Sequence, residues 1–313
     1  MSAETSKDYI ACCPYDLRQL DDAVRAWNEL PSLSATELRL LETVERTLLR
    51  SRTPTVRALE RASHMTADRL HNIFARLFSK GLLRYTSPSR HSLALTFSGH
   101  DALALNELKD RLRIVQLSPS ASKGKESDIH VGTTSSGEDL VLKFYRLGRV
   151  SFRSVMSKRE ITSHRLPWVL MSARAASQEA NAYRHLQAKG IVVPQLVAVN
   201  RHVLVLKNVP GALLQYVRQV DLELARKVFE QLRRMYEDAG VVHVDMSPFN
   251  VLVGDDGLVY LIDFPQWVPR SHRNARTYLD RDMQNIVDFF RRRQVKIDPH
   301  ELLAWVDSAP TSE

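Results

Sequence analysis

The stretch VVHVDMSPFNVLVGDDGLVYLIDF, residues 241–264, decides the reading of this chain. Its apolar pieces VVHV, NVLVG and LVYLIDF read as short strands, the last two joined by the turn Asp255-Asp256-Gly257. Asp245 and Asn250 flank a tight loop, and Asp263 follows one hairpin later at the end of an apolar strand. The three make one converging set of oxygen ligands. Phosphoryl transfer needs such a set: Asp263 and Asn250 to hold magnesium on the phosphates, and Asp245 to orient or deprotonate the attacking hydroxyl or water. H-x-D-x-x-x-x-N alone arises by chance, and its pairing with a strand-borne Asp makes it specific. A polar turn capping itself would account for Asp245 and Asn250, but not for a carboxylate inside LVYLIDF, where an uncompensated charge is costly. His243 reads as a packed organiser of the loop rather than a ligand or a base.

The same chemistry asks for a lysine on an upstream strand and a helix glutamate beside it. Lys143 in DLVLKFYR fits the first, since alternation sets it with one face of an apolar strand. Glu179 in SARAASQEANAYRHL fits the second; alone it would read as a solvated helix carboxylate. Ahead of the hairpin 128–146, which closes through Ser136-Gly137, lies Lys123-Gly124-Lys125-Glu126-Ser127-Asp128. There a glycine, lysines and a hydroxyl can present donors to phosphate. A solvated loop would look the same.

Further upstream the texture is helical. Leu38, Leu41, Val44 and Leu48 recur as on a buried face over 34–50. TVRALERAS, a break at His64-Met65, and TADRLHNIFARLFSK capped by Thr66 and stopped by Gly81 follow. LLRYT and HSLALTF flank the turn Ser87-Pro88-Ser89, and DALALNELKDRL is a further helix. This order is that of a winged helix, whose third helix would offer Arg69, His71 and Arg76. Such modules also dock proteins. VQLSPSASKG has the composition of a linker and sets a boundary near residue 120. Downstream, 172–189 reads as a helix stopped by Gly190, IVVPQLVAV and HVLVLKNV as strands, and DLELARKVFEQLRRMYEDA as a helix capped by Asp221.

The 313 residues suggest two domains. A net charge of +8 favours a polyanionic partner, nucleic acid before membrane. Cys12 and Cys13 are the only cysteines, adjacent and outside any ligand pattern, so free thiols in a reducing compartment are expected. With no long apolar run and no signal-peptide core, the reading is soluble, intracellular and cytoplasmic, with brief nuclear passage if the source is eukaryotic.

These residues resemble the Rio family of atypical protein kinases, in its winged-helix-bearing branch, Rio kinase two. GKESDI at 124–129 looks like the phosphate-binding loop, and LKFYRLGRVSFRSVMSKRE at 142–160 like the lysine strand with the basic segment after it. NRHVLVL at 200–206 is similar to the strand entering the hinge, IDFPQ at 262–266 to the metal loop, and SHRNARTYLDRDMQNIVDFF at 271–290 to the closing helix. The resemblance implies an α+β fold: a winged helix (1–115), then a small bilobal kinase-like domain (116–313) with lobes of about 120–207 and 208–313. It implies ATP and magnesium as cofactors, adenine contacts at Leu206 and Val209, and Lys143 paired with Glu179. It also implies atypical serine/threonine kinase and ATPase activity in maturation of the small ribosomal subunit, with Asp263 able to accept phosphate. The partners implied are ribosomal RNA and ribosomal proteins of the pre-ribosomal small subunit, with candidate RNA contacts at Arg146, Arg149, Arg153, Lys158, Arg159 and Arg291-Arg292-Arg293. The short stretch from Asp263 to Arg281-Asp282 has no room for the segment with which ordinary kinases grip peptides, and Ser247 and Pro265 depart from the usual loops. A nucleotide-gated assembly scaffold and a small-molecule phosphotransferase are the competing readings.

Overall fold

The computed structural model describes residues 21–50, 54–87, 92–124, 126–147 and 168–296. They fall into two compact units: residues up to 173 with 200–203, and 174–199 with those from 204 onward.

The first unit begins with α1 (Asp22–Glu29), capped by Asp21, and α2 (Ala35–Arg50). A capping box starts α2: Glu37 Oε2 accepts the Ser34 N–H at 2.8 Å, and Ser34 Oγ accepts the Glu37 N–H at 3.3 Å. The helix buries Glu37, Leu40, Leu41 and Val44, so its inner face is turned from the expected stripe, and Leu38 and Leu48 are only half-buried. The Glu37 carboxylate accounts for the turn, because it also takes Arg76 Nε at 2.8 Å. Next come α3 (Val56–Ser63), capped by Thr55, and α4 (Ala67–Ser79). Thr66 stands at the N-cap of α4 with extended backbone but makes no side-chain capping bond. The antiparallel strands β1 (Leu83–Ser87) and β2 (Ser92–Leu95) lead to α5 (Phe97–Leu112). This helix starts four residues before the expected one. Thr96 Oγ1 caps it at Gly99 N–H, and a Cβ on Gly99 would lie 2.2 Å from the Leu82 carbonyl oxygen.

Half of the supposed linker is strand. β3 (Ile114–Leu117) and β4 (Ser122–Lys123) both pair with β5 (Ser127–Thr134), which pairs in turn with β6 (Asp139–Tyr145). Its Ser and Pro content misled because pairing uses the backbone. Ser118 N–H donates to the Val131 carbonyl and Ala121 N–H to that of Ile129, each at 2.8 Å.

Most of α6 (Trp168–Ala188) belongs to the second unit, with β7 (Leu196–Asn200) and β8 (Val203–Lys207), whose connecting tip counts with the first. β9 (Gly211–Leu213), β11 (Val251–Gly254) and β12 (Val259–Leu261) form one sheet in the order β12-β11-β9. β10 (Val241–Val242) pairs with β13 (Val268–Pro269). The helices α7 (Leu222–Glu237) and α8 (Ala275–Arg292) bury Val228, Phe229, Leu232 and Met235 of one, and Leu279, Met283, Ile286 and Phe290 of the other. Rings of Phe229 and Phe290 meet at 6.3 Å. These apolar positions recur at helical spacing, and burying them is the main favourable contribution to the unit.

Candidate active site

The loop after β10 is held in place backbone group by backbone group. Strand geometry stops at Val242, because Val244 takes φ 76°, a left-handed conformation that a β-branched residue enters only under constraint. The constraint comes from α8. Asp282, buried on the apolar stripe of that helix, accepts the Val244 N–H at 2.7 Å and the Met246 N–H at 3.1 Å. Arg281 donates to the Val244 carbonyl, and Asn285 Nδ2 to that of Met246 at 3.0 Å. Asp245, between the two anchored residues, is exposed.

His243 is fully buried and keeps the role of organiser. Its Nε2 faces the Ile262 carbonyl at 2.9 Å, and its Nδ1 faces the Asp245 N–H at 3.4 Å. A carbonyl needs a donor and an N–H needs an acceptor, so the ring is neutral with its proton on Nε2. Burial pushes its pKa below the ordinary histidine value, against the pull of the Ile262 carbonyl and nearby carboxylates.

Asn250 closes the loop. Its N–H donates to the Ser247 carbonyl at 2.9 Å and its Nδ2 to the Asp245 carbonyl at 2.7 Å. That bond fixes the amide orientation and leaves Oδ1 as an oxygen acceptor, the donor type magnesium takes. Asp263 lies beyond β12, which ends at Leu261, so the expected strand-borne carboxylate is in fact in the turn that follows. Its φ of 69° breaks the extended run, an excursion that Asp tolerates better than most residues. Two residues of α6 hold this turn. Tyr183 OH accepts the Asp263 N–H at 3.2 Å, and the buried Glu179 accepts the Phe264 N–H at 3.3 Å through Oε1. Thus Asp245, Asn250, Asp263 and Glu179 belong to one bonded framework in the second unit, and the oxygens of Asn250 and Asp263 are of the donor type that a hard cation takes.

In the same unit, buried Leu206 lies in β8 and half-buried Val209 just after it. In the first unit, Lys123, Gly124 and Ser127 form the turn between β4 and β5. There the Gly124 N–H donates to the Ser127 carbonyl at 2.8 Å, and a Cβ on Gly124 would sit 3.1 Å from that oxygen. The Lys123 ammonium lies 3.8 Å from Asp21. Lys143 in β6 is nearly buried, its ammonium 5.0 Å from the Tyr145 ring centre. Lys125 lies outside the described residues, as do Arg149, Arg153, Lys158 and Arg159.

One expected RNA contact is overturned. Arg146 has no exposed surface and spends its guanidinium on Asp101 and Asp128. Asp282 and Tyr183 are site residues that the sequence reading missed. For Asp282 the signal was present: Leu279, Asp282, Met283 and Ile286 share one helix face, and an acid on an apolar stripe calls for a partner. Tyr183, on an ordinary buried position, gave none.

Comparison with known proteins places the chain in a family. A model described as "RIO domain" matches residues 128–302, and one described as "Rio2, N-terminal" matches residues 30–111. The chain belongs to the RIO kinase family and, within it, to the Rio2 branch. The serine/threonine-protein kinase rio2 of Dictyostelium discoideum is 36% identical over 204 residues, 64% of this chain and 39% of that protein. A RIO-type serine/threonine-protein kinase Rio2 of Methanocaldococcus jannaschii is 28% identical over 235 residues, 70% of this chain and 85% of that one. The matched stretch therefore spans only part of some relatives, about two fifths of the Dictyostelium protein. The crystal structure of an ADP/Mg2+-phosphoaspartate complex of the Rio2 kinase from Chaetomium thermophilum aligns with a TM-score of 0.76 at 29% identity, covering 90% of this chain and 86% of that one.

Proposed function

We propose that the chain is an atypical serine/threonine protein kinase and ATPase that uses ATP and magnesium and acts in maturation of the small ribosomal subunit. The observation that carries this is the anchored loop. Val244 and Met246 are pinned by Asp282, Asn250 is oriented by the Asp245 carbonyl, and Asp263 is held in a left-handed turn by Tyr183. A polar turn with no further task needs neither this strain nor a buried carboxylate to impose it.

In this reading Lys123, Gly124, Lys125, Ser127 and Lys143 contact the nucleotide phosphates, and Leu206 and Val209 the adenine. Asn250 Oδ1 and the Asp263 carboxylate hold magnesium, which when bound neutralises charge developing on the phosphates. Asp245 takes the proton of the attacking hydroxyl or water, its exposure giving a substrate access. The Chaetomium complex supports a second route, in which an Asp263 oxygen bonds to the γ-phosphorus as the bond to ADP breaks, and water then releases phosphate.

The N-terminal helices and the β1–β2 hairpin, read as a winged helix within residues 1–115, would contact ribosomal RNA by shape and phosphate. Arg69 and His71 on α4 are exposed, whereas Arg76 is partly engaged by Glu37. Arg291, Arg292 and Arg293 are exposed at the end of α8 and offer a second basic surface. Ribosomal proteins of the same particle are further partners, and a cytoplasmic setting fits this role. Among the described residues no helix is long and apolar enough to cross a membrane.

The test is a single-turnover incubation with magnesium and γ-labelled ATP, following free phosphate and protein-bound label separately. Lys143→Ala and Asp263→Asn are each expected to lower both by roughly a hundredfold or more. Undiminished turnover in folded Asp263→Asn would overturn the assignment.

A further inference from the structure

Arg146 follows directly on β6, the strand of Lys143, and is wholly buried. Its guanidinium donates to both oxygens of Asp101, at 2.6 and 2.7 Å, and its Nε donates to Asp128 at 3.0 Å. The buried His202 Nε2 lies 2.7 Å from Asp101 Oδ1. The rings of Phe97 and Phe144 flank the guanidinium at 5.5 and 5.3 Å. Asp101 comes from α5, in the N-terminal helical part, and Asp128 is the neighbour of Ser127. The Arg146 N–H donates to the Glu126 carbonyl at 2.6 Å, so the same residue grips the phosphate-loop turn through its backbone as well.

One guanidinium is shared between two buried carboxylates. Such a set stabilises a fold little better than apolar side chains of the same volume, and what it supplies is fixed position. A fork that makes two parallel bonds to one carboxylate and a third to another has a single geometry. We infer that Asp101 and Arg146 are positioning residues for the nucleotide. Asp101 orients the fork, and the fork sets Glu126 and Ser127, beside Gly124, against the end of the strand that carries Lys143. The N-terminal helices thus take part in nucleotide binding without touching the nucleotide. Lys123 also approaches Asp21 at 3.8 Å, a looser and partly exposed pairing. The inference rests on reading Lys123–Ser127 and Lys143 as nucleotide contacts.

The experiment measures ATP–Mg binding to the full chain by calorimetry, and the rise in melting temperature that ATP–Mg produces. It compares the wild type, Asp101→Asn, Arg146→Lys and Leu41→Ala. Asp101→Asn leaves one guanidinium facing one carboxylate and keeps the volume. Arg146→Lys keeps the charge but loses the fork. Leu41→Ala lowers stability from a buried position on α2 that plays no part in the clamp. Both clamp variants are expected to bind ATP–Mg about tenfold more weakly and to lose most of the melting rise, while Leu41→Ala keeps the wild-type values. Wild-type affinity in either clamp variant, with circular dichroism showing it folded, overturns the inference. An equal loss in Leu41→Ala does so too, since any destabilisation would then suffice. A wild type that binds no ATP–Mg overturns instead the reading of the site on which the inference stands.

Discussion

Asp282 makes two hydrogen bonds that no amide can replace in full, since both of its oxygens accept backbone N–H groups of the loop around Asp245. In Asp282→Asn one of those N–H groups would face an NH2. The expected result is a loss of about 1–3 kcal/mol in urea unfolding, with single-turnover ATP cleavage falling as Asp245 loses its fixed place. Unchanged stability and turnover would show that the loop holds itself. Val244 is a different case. Its left-handed backbone costs roughly 1–2 kcal/mol, while its nearly buried side chain contributes roughly 1.5–3 kcal/mol. Val244→Gly relieves the first and forfeits the second, so it should cost no more than about 2 kcal/mol. Val242→Gly, two residues earlier in extended strand, relieves nothing and should cost about 3 kcal/mol. The contrast, read from two urea titrations, tests whether the left-handed geometry is strained. Residue identity let Asp245, Asn250 and Asp263 be read from the sequence, because each is a polar group where apolar neighbours make it conspicuous. The positive φ of Val244 left no trace there, since nothing in valine announces a conformation imposed from another helix.

Among the elements, α2 shows how a cap and a buried face share one residue. Glu37 satisfies the Ser34 N–H and receives Arg76 from α4. Burial would raise its pKa, but Arg76 and the Ser34 bonds outweigh that and hold it below the ordinary glutamate value. Glu37→Ala removes a cap and an ion pair together and should cost about 1–2 kcal/mol. Glu37→Gln, which can still accept from Ser34, should cost less, and equal losses in thermal melts would mean that only the charge matters. The stripe Leu38, Leu41, Val44, Leu48 drew the reading to a slightly different face. β3 and β4 were illegible for a firmer reason. Edge strands are defined by backbone bonds to a neighbour, and a Ser- and Pro-rich composition gives no hint that such a neighbour, β5, will be there.

At the scale of the whole chain, buried histidines set the response to acid. His202 in the first unit and His243 in the second are both held below the ordinary histidine value. Burial is the main cause in each, with carboxylates pulling the other way. A histidine kept neutral in the fold but free to charge when unfolded takes up protons preferentially in the unfolded state. Stability is therefore full above pH of about 6.5 and falls as pH drops below it, by at most about 1.4 kcal/mol per pH unit for each ring, until the folded pKa is reached. Asp282 acts in the opposite sense, because burial holds its carboxyl above the usual range and its proton uptake favours the folded chain. It offsets one ring at most, so a net loss remains. A second loss follows at lower pH. Glu37, Glu45 and Asp101 are held below their ordinary values despite burial, by Arg76 for the first, by His100 and Arg201 for the second, and by Arg146 and His202 for the third. Their contribution is present above about pH 4.5 and disappears as pH falls through the folded pKa values. Urea titrations at pH 7.5, 6.5 and 5.5 should give stability that falls slightly over the first interval and more steeply over the second, with His202→Asn showing a shallower fall than wild type. Equal stability at all three pH values would mean that these rings reach water before the chain unfolds, and the tight packing around Asp101 and Ile262 would then be wrong.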